Sequence, residues 1–439
     1  MNKLKLTALS LSLAVALGGS STAMASAFQI WEQGSAGTGD YHAGGAAEAN
    51  DASTEWYNPA GMTRLKHQQI SVGGVLIDLD ARFQGMVNQT TLGPTSLPAT
   101  ASGGGLIGVP NFHYVLPISN RVAFGVGLVV PFGLQTDYGT NTNLRYAATK
   151  TAIQVIDLTP AFAYKFNNKF SIGAGLDLAY VDATFDQYVG SAPNVPAFDS
   201  MSDNEASGEA VGVHLGVLYQ LSPLTRFGLV YHSRLQANLR GTSTYSGFLA
   251  NNPPNQNPNF GTDITLPPWI QLSAFHQFDR GFAGLASVTY TEWSTIQDLT
   301  LNNVESNLGP HSQNQSTTVV VPERFKDTWN FALGGHFTLT PKWLLKAGVG
   351  YDYTPVRDEY RGVQLPDGDH FVFSSGFRYR FTPNFWLDVG YSYILPAKVD
   401  VNGTETASGP NGADIVTTAS GTANGSASVY GVQLTWNLV

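Results

Sequence analysis

Residue types that could perform covalent chemistry are present, but they are not spaced for it. The chain has no Cys, which excludes cysteine nucleophiles, disulfides and zinc–cysteine sites. Its 9 His show no metal-ligand spacing, and no G-x-S-x-G motif occurs. The acid pairs Asp78/Asp80 and Asp367/Asp369 could bind Ca²⁺ weakly, but solvated acids in loops or at strand ends are the simpler explanation. We therefore expect no enzymatic activity, no cofactor and no metal.

Two polar segments carry aromatic residues that could bind an apolar ligand. Phe198 lies within 188–208 and Phe248 within 241–261, segments otherwise rich in Gly, Asn, Pro and Ser. Clustered apolar groups on a surface form a patch that can capture an apolar molecule. The alternative is that these groups only pack against one another inside compact loops.

Pro131, Phe132 and Gly133 interrupt an apolar alternation that begins at Val122. Proline cannot donate to a sheet ladder, so it belongs at an edge or a distortion. These residues predict a kink that would open a gap in a continuous wall. The alternative is that the strand ends here and a loop begins.

The composition describes a chain that is polar without being charged. Charged residues make up 13% of its 439 residues, against about 25% in an average soluble domain, and mean hydropathy is -0.07. With 12% aromatic residues it is unlike a disordered chain. Long apolar runs do not recur as a helical membrane bundle requires. The net charge of -9 argues against a nucleic-acid partner, which needs a basic footprint.

The first 25 residues have the layout of a secretory signal peptide. Lys3 and Lys5 precede the apolar stretch 6–17, and Ala23-Met24-Ala25 supplies the small residues of a cleavage site. We predict that residues 1–25 are removed and that the protein leaves the cytoplasm.

From about residue 68 onward the chain alternates apolar and polar residues with a period of two. Phe385, Leu387 and Val389, for example, alternate with Asp388 and Gly390. Such strands have one apolar and one polar face. Their length of about ten residues or more and their aromatic ends are typical of outer-membrane barrels.

The pattern predicts fourteen strands joined alternately by short turns and long loops, with the long loops outside the cell. The strands are 68–83, 105–118, 121–132, 150–166, 169–187, 209–221, 224–240, 262–277, 281–298, 326–339, 342–355, 368–381, 384–400 and 426–439. The long loops are 84–104, 133–149, 188–208, 241–261, 299–325, 356–367 and 401–425. Because only a closed sheet satisfies every backbone donor in lipid, we predict an all-β, 14-stranded antiparallel transmembrane β-barrel over 68–439. Residues 26–67, rich in Gly and Ala, are either a periplasmic tail or a plug in the lumen.

Short motifs in order along the mature chain resemble the FadL/TodX family of outer-membrane transporters of long-chain fatty acids and hydrocarbons. They are Ser26-Ala27-Phe28-Gln29-Ile30, Asn58-Pro59-Ala60, Pro110-Asn111-Phe112-His113-Tyr114, Phe132-Gly133-Leu134, Leu266-Pro267-Pro268-Trp269, Thr291-Glu292-Trp293-Ser294, Phe325-Lys326-Asp327, Tyr351-Asp352-Tyr353-Thr354-Pro355-Val356 and Leu365-Pro366-Asp367.

This resemblance implies a monomeric barrel in a bacterial outer membrane, with 26–67 as a luminal hatch that includes Asn58, Pro59 and Ala60. It implies that long-chain fatty acids or other hydrophobic ligands bind in a groove between the third and fourth outer loops and then in a deeper apolar pocket. The ligand would leave sideways into outer-membrane lipid at the kink in the third strand, as the hatch N-terminus with Phe28 moves. No covalent chemistry is implied.

The basic residues that hold the fatty-acid carboxylate in this family are absent at the matching positions, which are Gln187 and Val321. A buried carboxylate without a cationic or donor partner is costly. Arg324, Arg357 and Arg361 could substitute, since Arg suits bidentate contact. Alternatively, each is a solvated loop charge. A hydrocarbon or an ester is therefore a more plausible ligand here than in the best-known members.

Eight charged residues fall on the predicted inward face and could pin the hatch by ion pairs or be hydrated and matter little. They are Asp177, Arg226, Arg234, Lys346, Asp352, Arg378, Arg380 and Asp388. Two other functions compete with transport. A general diffusion porin would need an open lumen, and an outer-membrane lipase would need a catalytic constellation.

Overall fold

The computed structural model describes residues 27–193, 195–250, 253–306, 315–408 and 414–438. The predicted signal peptide lies outside the described residues. Among those residues, no helix is both long and apolar enough to cross a bilayer.

Twenty strands form one antiparallel sheet. They are β1 Gln68–Gln89, β2 Leu97–Ser102, β3 Gly105–Pro117, β4 Val122–Asp137, β5 Lys150–Leu158, β6 Ala161–Lys165, β7 Phe170–Gly190, β8 Asp199–Ser222, β9 Thr225–His232, β10 Leu235–Gly247, β11 Asn255–Leu266, β12 Trp269–Gln277, β13 Phe282–Thr291, β14 Asp298–Ser306, β15 Gln315–Pro322, β16 Thr328–Thr338, β17 Trp343–Asp352, β18 His370–Thr382, β19 Phe385–Ser408 and β20 Asp414–Leu438.

These strands make fourteen passes through the wall of a closed barrel. Five passes are interrupted, as β5/β6, β9/β10, β11/β12, β13/β14 and β15/β16, and β2 is an extra strand paired with the end of β1. Closure comes from β1 and β20, which pair from Gln68↔Leu438 to Gln89↔Thr417. The predicted fold class is confirmed. Large apolar side chains on the outside, such as Leu272, Leu333 and Phe371, stay exposed and form the lipid-facing band.

The sheet continues into several segments that the sequence predicts to be loops. β7 runs to Gly190, β8 begins at Asp199, and β19 and β20 extend through most of 401–425. Beyond the lipid both faces of a strand can be polar, so apolar alternation, the signal that predicts a strand, ends before the hydrogen-bonded ladder does.

The N-terminal segment 27–65 lies inside the barrel, and nearly all of it is buried. It contains α1 Gly45–Glu48, α2 Thr54–Tyr57 and 3-10 turns at Ser35–Asp40 and Pro59–Arg64. Short helices are what a Gly/Ala-rich sequence with frequent turn residues can form. Further 3-10 turns lie at Thr90–Leu92, Asn143–Tyr146, Pro196–Phe198 and Trp293–Thr295. The segment fills the lumen rather than hanging below it as a tail.

Candidate functional site

An apolar cavity lies in the lumen above the N-terminal segment. A side-chain cluster of Phe28, Phe185, Ile264, Leu301 and Phe325 supplies most of its apolar surface. The full lining is Phe28, Leu134, Ala147, Ala148, Thr151, Ile153, Phe185, Asp186, Gln187, Ser202, Asn204, Ile264, Ile296, Leu299, Leu301, Val304, Val319, Val321, Glu323, Phe325, Gln364, Leu365 and Glu405. A pocket with a mainly apolar lining suits an apolar molecule.

Gln187 and Val321, the positions that match the family's basic residues, both line this cavity. Gln187 Nε2 donates a hydrogen bond to Glu405 Oε1 at 2.6 Å. Sequence reasoning missed Glu405, because it lies on the extension of β19 that the apolar alternation does not predict. The polar contact at this end of the cavity is therefore an amide–carboxylate pair.

The three candidate arginines do not reach the cavity. Arg324 is exposed and pairs with Asp298 at 3.1 Å. Arg357 is also exposed, and its Nε donates to the Arg324 carbonyl at 2.6 Å. Arg361 is buried, but its guanidinium bonds the Asp367 carbonyl at 2.8 Å and pairs with Asp358 at 2.7 Å.

Phe198 and Phe248 meet at the outer end of the barrel. Their ring centroids lie 4.7 Å apart, yet the side chains remain 41% and 54% exposed. The two rings come from the connections β7–β8 and β10–β11, which are the third and fourth outer loops. They form an apolar patch on the surface rather than the core of a compact loop.

β4 is distorted where the sequence predicts the kink. Its pairing with β5 shifts register between Val129 and Phe132, which is a β-bulge. Residues 129–134 are all buried, so both faces of this stretch turn away from lipid. The strand nevertheless continues to Asp137, and the alternative that it ends at Pro131 does not apply.

The wall is open beside this bulge. β3 and β4 pair only from Pro117↔Ala123 to Phe112↔Leu128. After Leu128, the only described strand of the wall that pairs with β4 is β5. On the other side of the gap, β3 pairs with β1 over its whole first half, starting at Gly105. One bond, from the Asp137 amide to the Gly103 carbonyl at 3.2 Å, rejoins the two sides at the top. Between these limits lies a lateral gap in the sheet.

The N-terminal segment occupies the exposed edge of β4 at this gap. The Ile30 amide donates to the Pro131 carbonyl and the Gly133 amide donates to the Phe28 carbonyl, both at 2.9 Å. Gln33 bonds both backbone groups of Val130 through its side-chain amide, at 2.7 Å each. Backbone groups of β4 that lack a β3 partner are thus satisfied from inside the barrel, as buried polar groups require.

Phe28 links the cavity to the kink. Its ring lines the cavity floor and lies 6.0 Å from Phe132 and 4.9 Å from Trp293. The Ala27 amide donates to Asp367 Oδ2 at 3.1 Å, which fixes the position of this end of the segment. Phe28 therefore contacts both the apolar cavity and the kinked part of β4.

Asn58, Pro59 and Ala60 hold the N-terminal segment against the wall. Asn58 Oδ1 accepts from the Ala60 amide at 3.1 Å, which closes the turn. Its Nδ2 donates to the carbonyls of Ala46 at 2.6 Å and Val217 at 3.0 Å, the latter on β8. One side chain thus both shapes the segment and ties it to the barrel.

Most of the predicted inward charges are buried against this segment. Lys346 Nζ donates to the Ala36 carbonyl at 2.7 Å and pairs with Asp388 at 3.2 Å. Arg378 pairs with Asp388 at 2.9 Å and with Asp51 at 3.5 Å. These contacts favour the interpretation that the charges pin the segment.

Two of the eight predicted inward charges are exposed instead. Arg234 lies at the break between β9 and β10, where the inward parity changes from His232 to Leu235. An irregularity of one residue reverses every later side chain. Arg380 lies at the end of β18, beside a register shift with β19.

Burial also perturbs acids and bases of the N-terminal segment. Desolvation raises the pKa of Glu32 to about 7 and lowers the pKa of His42 to about 3. The pKa of Glu55 is raised by burial, although a 2.8 Å contact with His113 opposes this. The N-terminal segment therefore carries groups whose charge depends on whether the segment is buried in the lumen.

Two groups of side chains bring three potential metal ligands within 4.8 Å of one another: Asp177/His214/His232 and Asp40/Glu48/His336. The first forms because His214 and His232 face each other in the β8–β9 register, which spacing along the chain does not reveal. In both groups an acid and a histidine are already paired, Asp177–His214 at 2.6 Å and Asp40–His336 at 2.5 Å. Hydrogen bonding within the lumen accounts for these contacts.

Comparison with known proteins places this architecture in a family. The sequence profile described as "Outer membrane protein transport protein (OMPP1/FadL/TodX)" matches residues 16–438. The chain is 29% identical to outer membrane protein P1 of Haemophilus influenzae over 475 residues, covering 100% of each chain. It is 29% identical to a long-chain fatty acid transport protein of Escherichia coli over 426 residues, covering 89% of this chain and 91% of the other.

Solved structures show the same fold. A FadL homologue of Pseudomonas aeruginosa superposes with a TM-score of 0.79 at 24% identity, covering 94% of this chain and 99% of the other. The toluene transporter TodX of Pseudomonas putida gives a TM-score of 0.69 at 18% identity, covering 94% and 100%. Together with the closed barrel and its filled lumen, the profile match shows that this chain belongs to the OMPP1/FadL/TodX family of outer-membrane transport proteins.

Proposed function

We propose that this protein moves long-chain hydrophobic molecules, fatty acids or similar compounds, into outer-membrane lipid without changing them covalently. The molecule is captured at the outer loops, held in the luminal cavity and released laterally through the gap between β3 and β4. The observation that carries this proposal is the meeting of the apolar cavity and the kinked strand at Phe28.

The segments take separate roles in this proposal. Residues 1–25 are a cleaved signal peptide, residues 26–67 are a movable hatch, and residues 68–439 are the barrel of a monomer. Relatives named as long-chain fatty acid and toluene transporters support an apolar cargo. The exposed pair Phe198–Phe248 supports capture at the third and fourth outer loops.

Release requires the N-terminal segment to leave the edge of β4. While Ile30 and Gly133 keep their backbone bonds across this edge, Phe28 stays between the cavity and the gap. Only these few bonds have to break, and the strand pairing of the barrel is kept. The step is therefore a local opening rather than an unfolding of the barrel. Ligand in the cavity favours opening by competing for the position of Phe28.

A reversible disulfide tests this step. Gln29 and Phe132 are bridge partners, and the bonds on either side of them make them a pair that is not itself hydrogen-bonded. Cα atoms in such a pair lie about 4.5 Å apart, within disulfide range. The natural chain has no Cys, so Gln29→Cys/Phe132→Cys creates a single possible bridge. We expect the oxidised variant to lose ligand uptake in proteoliposomes and to regain it on reduction.

The single variants Gln29→Cys and Phe132→Cys are the matched controls, because they alter the same side chains without a lock. Both should transport at the same rate with and without reductant. Full uptake through the oxidised double variant, with the bridge verified by mass spectrometry, would exclude release by this movement.

A general diffusion porin remains the main alternative, and a lipase is the other. The buried N-terminal segment disfavours a porin because it occupies the lumen that a porin keeps open. Large, steady conductance of the intact protein in planar bilayers would support the porin instead. Ester hydrolysis by the purified protein would support the lipase.

A further inference from the structure

The outer end of the luminal cavity carries acids and lacks bases. Asp186, Glu323 and Glu405 line it, and no Lys, Arg or His is among its described lining residues. A second, small cavity shares Val321 and Glu405 with the first. Its described lining is also free of basic side chains. A ligand that reaches this end therefore meets carboxylates on more than one side.

Glu405 is the best-defined of these acids. It is only 7% exposed, and Gln187 donates one neutral hydrogen bond to it at 2.6 Å. Burial raises the pKa of Glu405 to about 7, and burial together with the charge of Asp298 raises the pKa of Glu323 to about 8. Glu405 lies beyond the predicted membrane strand 384–400, and Glu323 precedes the predicted membrane strand 326–339. Each would gain from a partner that brings a donor hydrogen or a positive charge.

Basic residues near the cavity are engaged with other groups. Arg145 Nε pairs with Asp199 at 2.9 Å in the buried outer mouth. Arg361 bonds backbone carbonyls away from the lining. Lys150 stands opposite Asp186 in the β5–β7 register. The carboxyl groups of Glu405 and Glu323 are thus left without a Lys, Arg or His among the described lining residues.

Resting on the transport function proposed above, we infer that the cavity takes a long apolar chain whose head group donates hydrogen bonds and carries no negative charge. An alcohol or an amine has this chemistry, and a free carboxylate does not. The apolar tail would lie against Phe28 and Phe325, and the head group would bond Glu405.

The physical reason is the cost of placing two carboxylates together away from water. A carboxylate head beside Gln187 would lie next to Glu405, and two acids sharing one site cannot both stay ionised cheaply. At pH 8 Glu405 is mostly ionised, because its pKa is about 7. A hydroxyl or ammonium head then supplies the hydrogen that its carboxylate oxygen accepts, and this bond is strong because its acceptor is charged. The acid therefore selects for the head group, while the apolar lining selects for the tail.

Three ligands with the same tail test this inference: dodecanol, dodecylamine and dodecanoate. Each is titrated at pH 8 into purified protein in lipid nanodiscs, against the bound neutral fluorophore N-phenylnaphthylamine. We expect dodecanoate to need at least about a tenfold higher concentration than dodecanol for half-displacement, since like charges in one site shift pKa values by about one unit or more. Dodecylamine should displace the fluorophore at least as well as dodecanol.

Glu405→Gln removes the charge while keeping the side-chain shape. We expect this variant to bring dodecanoate within about threefold of dodecanol, less than half of the roughly 1.4 kcal/mol that a tenfold ratio represents. Glu359→Gln is the matched control, because Glu359 is exposed in an outer loop and lines neither cavity. Heat-modified gel migration verifies that each variant keeps its barrel.

The outcomes separate the inference from the function on which it rests. If dodecanoate displaces the fluorophore as well as dodecanol, or if Glu405→Gln leaves a tenfold difference intact, the inference is wrong and the transport proposal stands. If none of the three ligands displaces the fluorophore from the natural protein, the cavity is not a ligand site and both fail.

Discussion

Glu32 is an acid that the seated N-terminal segment keeps away from water. It is 7% exposed, and burial, with a smaller contribution from the nearby charge of Asp352, raises its pKa to about 7. Once the segment leaves the lumen, the side chain returns to its ordinary pKa of about 4.5. When the segment is in the lumen at neutral pH, Glu32 is therefore either protonated or ionised at a cost in free energy, because a buried charge is unfavourable.

The sign of the pH dependence follows from this shift. A carboxyl with a raised pKa binds more protons in the seated state, so the seated state is most favoured below about pH 4.5 and loses stability as pH rises to about 7. At roughly 1.4 kcal/mol per unit, the loss is at most on the order of 3 kcal/mol. His42, whose pKa burial lowers from 6.5 to about 3, opposes this effect below about pH 6.5. We therefore expect amides of residues 28–48 to exchange hydrogen only modestly faster at pH 8 than at pH 5.5, after correction for intrinsic rates.

Glu32→Gln should abolish or reverse this difference, because the amide does not titrate while His42 still does. Glu292→Gln is the control, since Glu292 is exposed and on the wall. An unchanged pH dependence in Glu32→Gln would mean that other groups of the segment, such as Glu55, set it.

Single residues of the candidate site were predictable where the family resemblance supplies matching positions. Gln187, Val321 and Phe28 line the cavity because family motifs and strand register place them there. Glu405 was not predictable, because it becomes a lining residue only when β19 continues beyond the lipid. Arg361 was misleading for the opposite reason, since its guanidinium is used by backbone carbonyls that only the folded loop brings near.

At the scale of elements, each side of the lateral gap carries a proline. Pro110 lies in the stretch of β3 that has no β4 partner, and Pro131 lies at the β4 bulge. Because proline offers no N–H to a ladder, it is tolerated at an edge and discourages a neighbouring strand from pairing there. The two prolines together keep open a seam that strand pairing would otherwise close.

Pro110→Val/Pro131→Val should therefore extend the β3–β4 ladder and narrow the gap. Valine restores both missing donors and favours extended backbone. We expect uptake to fall several-fold while thermal stability rises, as measured by the temperature at which heat-modified gel migration changes. The control is Pro268→Val, because Pro268 lies between β11 and β12, away from the gap. If the double variant is more stable but its uptake is undiminished, the ligand does not leave through this gap.

The sequence predicts that fourteen passes exist more reliably than it predicts which side chains of each pass face the lumen. Alternation is strong where one face meets lipid, so β17 and β18 follow it closely. At Ser233–Arg234 the strand is interrupted between β9 and β10, and the side chains that face the lumen change from even to odd positions. The composition of this segment does not predict the change. A bulge is set by packing against neighbouring strands, and such contacts are not written in local composition.

At the scale of the whole molecule, the barrel interior and the N-terminal segment are shaped for each other. Inward glycines allow the segment's backbone to lie directly against the wall. A Cβ at Gly228 would collide with the Ala46 carbonyl, and one at Gly348 would collide with Asp40. Polar contacts then fix the segment in place. Lys346 bonds the Ala36 carbonyl and Arg378 pairs with Asp51, while Asp388 of the wall pairs with Lys346.

Removing residues 27–65 should consequently turn the barrel into an aqueous pore. The wall closes through β1 and β20 without the segment, so the barrel has the pairing it needs to persist. A lumen of fourteen passes is wider than the eight-stranded barrels that side chains can fill, and the charges that the segment now buries would be hydrated. We expect the deletion variant to give large, steady conductance in planar bilayers, while the intact protein gives little. Reintroducing the segment as a separate peptide should reduce the current. A deletion variant that forms a barrel by heat-modified gel migration but does not conduct would show that the wall, rather than the N-terminal segment, closes the lumen.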